Sequence, residues 1–442
     1  MLTRYHAEYA WLGGDRADPD VLIEVADGRI AAVRAGAGAA GAGADAAGAA
    51  RLRGLTLPGL ANAHSHAFHR ALRGRTHTGR GTFWTWRDRM YAVADRLDPD
   101  RYHALARATY AEMALAGVTC VGEFHYLHHA AGGAPYADPN AMGEALLAAA
   151  TDAGIRITLL DTCYLTAGVD GRPLAGPQRR FGDGDAAAWA ARAGALKPPA
   201  HAQLGAAIHS VRAVPADQLG TVAEFPGPLH VHLSEQRAEN DACLAHYGRT
   251  PTEVLDDAGV LGARTTAVHA THLTDTDRTE LGDSETAVCF CPTTERDLAD
   301  GIGPARALVD AGSPLCLGSD SHAVIDLFEE ARAVELDERL RTERRGHFSA
   351  TELLHAASAG GHASLGWHDA GAITVGARAD LVTVRLDTAR SAGVEAGPAV
   401  IFTAAAPDVT HVVVDGRVVV RDGAHRDIDV AAELARTIGA LW

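Results

Sequence analysis

Between Leu57 and about Ser321 the sequence repeats one unit: a short apolar run, a loop, and an Ala- and Leu-rich helical segment. The runs are Leu57–Ala63, Val118–Phe124, Arg156–Cys163, Ala202–Ile208, Leu229–Leu233, Thr266–Thr271, Ala287–Cys291 and Leu315–Gly318, eight in all. Helical stretches between them include Arg101–Ala116, Ala141–Ala153, Asp185–Leu196, Thr252–Ala258 and Ile302–Ala311. Strands separated by helices pair in parallel, because a parallel neighbour needs a long crossover. Eight such units predict an α/β fold, a closed (β/α)8 TIM barrel. An open doubly wound sheet is the rival, but no G-x-G-x-x-G follows any run.

The two chain ends read differently. Residues 1–57 carry strand-like runs at Ala7–Leu12, Val21–Val25, Ile30–Ala35 and Arg51–Leu57, with an Asp27-Gly28 hairpin turn. Gly36–Ala50 is nearly all Ala and Gly, which predicts a surface loop. After a helical stretch at Ala350–Ser364, β character returns at Ala370–Val384. It continues at Val409–Val414 and Arg417–Arg421 around Asp415-Gly416, before a last helix at Asp429–Leu441. The expected division is a barrel over 58–365, with 1–57 and 366–442 combining into one small composite β-sandwich.

Composition bounds the partners. The net charge of −16 argues against nucleic acid or an anionic membrane surface. An anionic small molecule would need a local cluster of Arg or His. No apolar run is long enough to span a bilayer, and Met1–His6 carries no secretory apolar segment, so a cytoplasmic location is expected. The six cysteines lie mostly in apolar runs without C-x-x-C and read as reduced core residues.

In a barrel of this kind, chemistry sits where strands end. The first run ends in His64 and His66, whose side chains share a strand face. The fifth leads into His232 and Glu235, the sixth into His269, the eighth into Asp320. His64, His66, His232 and Asp320 make an N/O ligand set suited to a divalent metal ion, most naturally Zn2+.

The order H-x-H, H-x-x-E, H, S-D resembles the amidohydrolase superfamily and its mononuclear deaminase branch. Gly371–Val384 is similar to that superfamily's return into its composite β-domain. Bimetallic members use a carboxylated lysine late in the fourth strand. The only lysine here, Lys197, precedes that strand, so one metal ion is expected. Within the superfamily, His64–Phe68, Phe83–Arg87, Glu123–His129, His209–Val214 and His232–Gln236 resemble the formimidoylglutamate deiminases of histidine breakdown. The likeness runs from about residue 55 through 323.

That resemblance implies roles. Glu235 protonates the substrate nitrogen and shuttles the proton onward. His269 orients the attacking water and the amidine, and Asp320 both ligates the metal and accepts a proton. Arg87 and Arg212 suit bidentate carboxylate recognition and are implied in the substrate pocket, with Tyr126 and His209 adding hydrogen bonds. His69 stands where the family typically has Gln. The implied reaction is metal-dependent hydrolysis of N-formimino-L-glutamate, a small dicarboxylate, to N-formyl-L-glutamate and ammonia. The resemblance is also compatible with a homodimer. Arg73–Trp86, with Gly79–Gly81, is the expected lid, and Trp84 and Trp86 either wall the pocket or fill core. The alternatives are a sister deaminase acting on a purine, pyrimidine or triazine ring, and a barrel without activity that only binds.

Overall fold

The computed structural model describes residues 2–36, 48–77 and 83–442, except for the side chains of Phe83 and Trp84. Most of Gly36–Ala50, and Gly79–Gly81 of the expected lid, lie outside the described residues.

Eight parallel strands follow one another around a barrel in chain order: Leu60–Ser65, Val118–His125, Arg156–Cys163, Ala202–Ile208, Leu229–Leu233, Thr265–His269, Ala287–Phe290 and Leu315–Leu317. Their side chains are almost all buried, as expected where helices cover the outside and side chains fill the inside. Helices start where side chains cap them. Asp98 accepts from Arg101 N ahead of Pro99–Leu115, and Thr250 and Thr274 form capping boxes with Glu253 and Asp277.

The barrel closes through an isolated parallel bridge between Ser65 and Asp320. Asp320 N donates to His64 O at 2.9 Å, and His66 N to Asp320 O at 3.2 Å. Gly318 makes this approach possible. A Cβ there would lie 2.7 Å from His64 Cβ and 2.9 Å from His64 N.

The first run differs from the sequence reading. Ala50–Pro58 belongs to another sheet, and the barrel strand is Leu60–Ser65 rather than Leu57–Ala63. The chain passes between the sheets at Gly59, where a Cβ would sit 2.3 Å from Thr119 Oγ1. Apolar residues flank the switch on both sides, so hydropathy does not mark it.

The second sheet also has eight strands and draws on both chain ends. At its centre Ala50–Pro58 pairs parallel with Leu2–Ala10 and antiparallel with Leu381–Val384. Asp18–Ala26 and Arg29–Arg34 extend one wing, Val409–Val414 and Arg417–Arg421 the other. The wings curl toward each other. The Asp27-Gly28 turn meets the Asp415-Gly416 turn, and Tyr5, Ile23, Leu381 and Val413 share one core. Of the stretch that starts at Ala370, only Leu381–Val384 is a strand.

A buried ion pair ties the sheets together. Arg156, at the start of the third barrel strand, donates from Nη1 to Asp380 Oδ1 at 2.9 Å and pairs with the other Asp380 oxygen through Nη2. The helix expected at Ala350–Ser364 is Ala350–His355, continued by a π turn and Gly361–Ser364. All six cysteines are buried and unpaired. Lys197 is exposed, ahead of the fourth barrel strand. No helix among the described residues is long and apolar enough to cross a membrane.

Candidate metal centre and adjoining pocket

His64, His66, His232 and Asp320 each bring one ligand atom to a common point, all within 4.8 Å of one another. His64 Nε2 lies 3.2 Å from His232 Nε2 and 3.3 Å from Asp320 Oδ1, and His66 Nε2 is also 3.3 Å from that oxygen. Tautomers are fixed from behind. His66 Nδ1 donates to Phe124 O at 2.9 Å, and His232 Nδ1 to His209 O at 2.9 Å. A carbonyl can only accept, so both Nε2 atoms face inward with lone pairs. Lone pairs and a carboxylate crowded at this spacing, away from water, suit a divalent cation.

The backbone is strained around this point. Ser234, His269, Asp320 and His322 all have positive φ, at 52°, 71°, 41° and 59°. Left-handed non-glycine residues cost on the order of 1–3 kcal/mol each and cluster at functional sites. Glu123 braces the turn between the first strand and its helix. It accepts from Ser65 Oγ and from Ala67 N, each at 2.7 Å. His322 lies underneath, 3.1 Å from Ser65 Oγ and 2.9 Å from Ser319 Oγ.

Titratable groups diverge here. Burial pushes the His64 imidazole down to about 3, against the pull of Asp320. Burial opposes ionisation of Asp320, but His64, His269 and His66 outweigh it and hold this carboxyl well below the usual range. Burial raises Glu235, with Asp320 adding and His269 opposing. His269 goes the other way. Burial disfavours its charge, yet Glu235, the Glu295 contact and Asp320 push it up to about 10. Its Nδ1 is 3.3 Å from Glu295 Oε1, and its Nε2 faces Glu235 Oε1 at 3.9 Å and Asp320 Oδ2 at 4.0 Å.

A pocket of about 570 Å³, including its open mouth, sits directly above. His69, Arg87, Tyr126, His209 and Arg212 all line it, together with His66, His232, Glu235, His269 and Asp320. The sequence-derived site residues therefore converge, with His64 beneath the floor. Trp86 is a wall, whereas the Trp84 side chain lies outside the described residues. Arg87 lies over the Tyr91 ring, 5.5 Å from its centroid.

Several residues went unnoticed in the sequence. Glu295, in the helix after the seventh strand, holds His269 and also accepts from Cys291 N at 2.9 Å. The strand-end rule applied to that run would have found it. Met90, Tyr91, Tyr164, Phe181 and Leu298 also line the pocket, without a motif to mark them.

A second group, His125, His128 and Asp161, has the spacing of a metal site. Its contacts argue otherwise. Arg192 donates to both Asp161 oxygens at 2.9 and 2.8 Å, Trp189 Nε1 adds a bond at 2.8 Å, and His128 Nε2 donates to Thr162 O. A guanidinium already fills the cation's place, so this is a buried ion-pair network. His129 and Asp183 extend it, 3.0 Å apart.

The amidohydrolase family's sequence pattern matches residues 55–419. The chain belongs to the amidohydrolase family. Among its relatives in that family, it is 38% identical over 420 residues to formimidoylglutamate deiminase of Pseudomonas aeruginosa, covering 90% of each chain. It is 30% identical to 8-oxoguanine deaminase of the same organism, over 93% of this chain and 92% of the relative. The crystal structure of an amidohydrolase from Brucella melitensis superposes with a TM-score of 0.89 at 32% identity, over 99% of both chains. The chain is therefore a hydrolase, and its His/Asp group suits a divalent metal ion.

Proposed function

We propose that this amidohydrolase converts N-formimino-L-glutamate and water to N-formyl-L-glutamate and ammonia. The observation that carries the reading is the pairing of Arg87 and Arg212 in one pocket with the metal-binding group. In a protein of net charge −16, two guanidinium groups beside a hydrolytic centre suit a dicarboxylate. The 38% identical relative is named for that substrate. A purine or pyrimidine ring carries no pair of carboxylates for these two arginines to neutralise.

His64, His66, His232 and Asp320 would hold the ion, for which Zn2+ fits the three nitrogens and one oxygen. When bound, it supplies Lewis acidity that makes water nucleophilic near neutral pH. The chain's own groups do the rest. Arg87 and Arg212 bind the two carboxylates, and the aromatic walls keep bulk water from the amidine. Asp320 Oδ2, on the side facing His269, takes a proton from the attacking water. His269, held through Nδ1 by Glu295 and facing Asp320 through Nε2, donates hydrogen bonds where negative charge develops. Glu235, whose burial favours its protonated form, delivers a proton to the departing nitrogen. Asp320 then passes its proton to the same nitrogen, the added hydroxyl gives its remaining proton back to Glu235, and as the formimino C–N bond breaks a carbonyl forms and the nitrogen leaves as ammonia.

The test is ammonia release from N-formimino-L-glutamate, guanine and cytosine by the metal-loaded protein. Turnover confined to N-formimino-L-glutamate is expected. Turnover of a ring substrate alone would overturn the proposal.

A further inference from the structure

His69 Nε2 lies 2.8 Å from the Tyr126 hydroxyl, and both residues are buried in the pocket wall. His69 sits in the short helical turn Ala67–Leu72, and Tyr126 follows the second barrel strand. The other imidazole nitrogen, His69 Nδ1, is buried and has no partner among the described residues. No carboxylate of those residues pairs with His69. A neutral imidazole has one N–H and one lone pair, so two tautomers compete.

They differ in what is left stranded. With the hydrogen on Nδ1, a buried N–H has no acceptor, which native structures rarely tolerate. Tyr126 must then spend its own hydrogen on Nε2 and present only lone pairs to the pocket, which repel an anion. With the hydrogen on Nε2, His69 donates to Tyr126 Oη and the phenolic hydrogen is left over. That hydroxyl reaches Met90 Sδ at 3.8 Å, a weak acceptor. A stronger acceptor would displace it at little cost.

We infer that His69 is a positioning residue that acts through Tyr126. By donating from Nε2 it makes Tyr126 an obligate donor and aims the phenolic hydrogen at a substrate carboxylate. This rests on the dicarboxylate reading of the pocket. The result is a two-step donor chain, Nε2–H to Oη–H to carboxylate, in which each bond polarises the next. No proton is transferred. The pair selects an acceptor at this point of the pocket and rejects an analogue that offers a donor there.

The experiment has two arms. In the first, long-range nitrogen–proton NMR of the ligand-free holoenzyme, with histidine labelled and the His69 signal assigned by its loss in His69→Gln, reports the tautomer. The Nε2–H form is expected, and the Nδ1–H form overturns the proposal. In the second, His69→Phe raises KM for N-formimino-L-glutamate roughly tenfold or more while kcat stays within about threefold. His69→Gln, which keeps an amide donor, restores most of the loss. In a Tyr126→Phe background, His69→Phe adds nothing further. An undiminished effect in that background overturns the relay. The tautomer is read without substrate, so it decides the relay separately. Failure of the wild type to hydrolyse N-formimino-L-glutamate would sink the functional reading alone.

Discussion

Ser65 and Asp320 form the bridge that closes the barrel, and the serine is flanked by His64 and His66. The ends of the first and eighth strands therefore meet where the metal-binding side chains converge. Closure of the fold and assembly of the site depend on the same few backbone hydrogen bonds.

Metal occupancy and fold stability are thus expected to move together. A chelator should abolish activity and lower the midpoint of thermal unfolding, and added zinc should restore both. A ligand that binds only the native state at 100 times its Kd contributes about 2.7 kcal/mol. Asp320→Ala should drop bound metal well below one per chain, measured by elemental analysis. Full occupancy in that variant would remove Asp320 from the ligand set.

Gly318→Ala should damage the same centre without touching any polar group. Its new Cβ would press on His64 at 2.7 Å, so the seam must open. The expected loss is about 1–3 kcal/mol of stability, with weaker metal binding in a chelator competition. Unaltered metal affinity would show that the strands can yield there.

Glu235→Gln removes the proton carrier and leaves the ligand residues in place. We expect kcat to fall roughly 10²–10⁴-fold, with metal content unchanged. Activity close to wild type would assign proton delivery elsewhere.

Arg212→Met should raise KM for N-formimino-L-glutamate roughly 10–100-fold. Arg212→Lys should recover little, because an ammonium lacks the planar fork. Equal losses in both variants, with no effect on a substrate lacking one carboxylate, would be the clearest support. A KM unchanged in either variant would take Arg212 out of carboxylate recognition.

Stability in acid is expected to track Asp161. Burial raises this carboxyl, but Arg192 and His128 outweigh it and hold it at about 2, below its ordinary 3.8. A depressed folded-state pKa contributes stability above pH 3.8 and loses it as pH falls through about 2. The contribution at neutral pH is about 2 kcal/mol. Asp161→Asn should therefore be less stable by roughly 2–4 kcal/mol near pH 7, since Arg192 loses a buried partner. The gap from wild type in denaturant unfolding should narrow below pH 4. A constant gap would separate the defect from this titration.

The barrel was legible because its strands are buried on both faces and read as apolar runs between amphipathic helices. The Val118, Arg156, Ala202 and Leu229 strands begin at the expected residues. The break at Gly59 was not legible, because Leu57 and Leu60 are equally apolar and belong to different sheets. The stretch before Leu381 looks β-like by composition, but its Gly- and Ala-rich chain makes turns against the neighbouring sheet instead of a ladder.

At the site, residues projecting from strand ends could be found from position alone. Glu295 yields to the same rule only when it is carried past the seventh strand into the helix that follows, because the strand itself ends in Cys289 and Cys291, which are core thiols. Tyr91, Tyr164 and Phe181 are ordinary aromatic residues until the helices and loops bring them together. The His128–Asp161–Arg192 network lies between the barrel and its helices, and its partners come from separate elements. Nothing in their spacing along the chain announces that they meet.

Lys197 offers the sequence's single ammonium side chain, at the pole of the barrel opposite the pocket mouth. Apart from the α-amino group, an amine-reactive linker therefore has one place to attach. Molecules anchored to a solid support through it would stand alike, each with its entrance turned toward the passing solution.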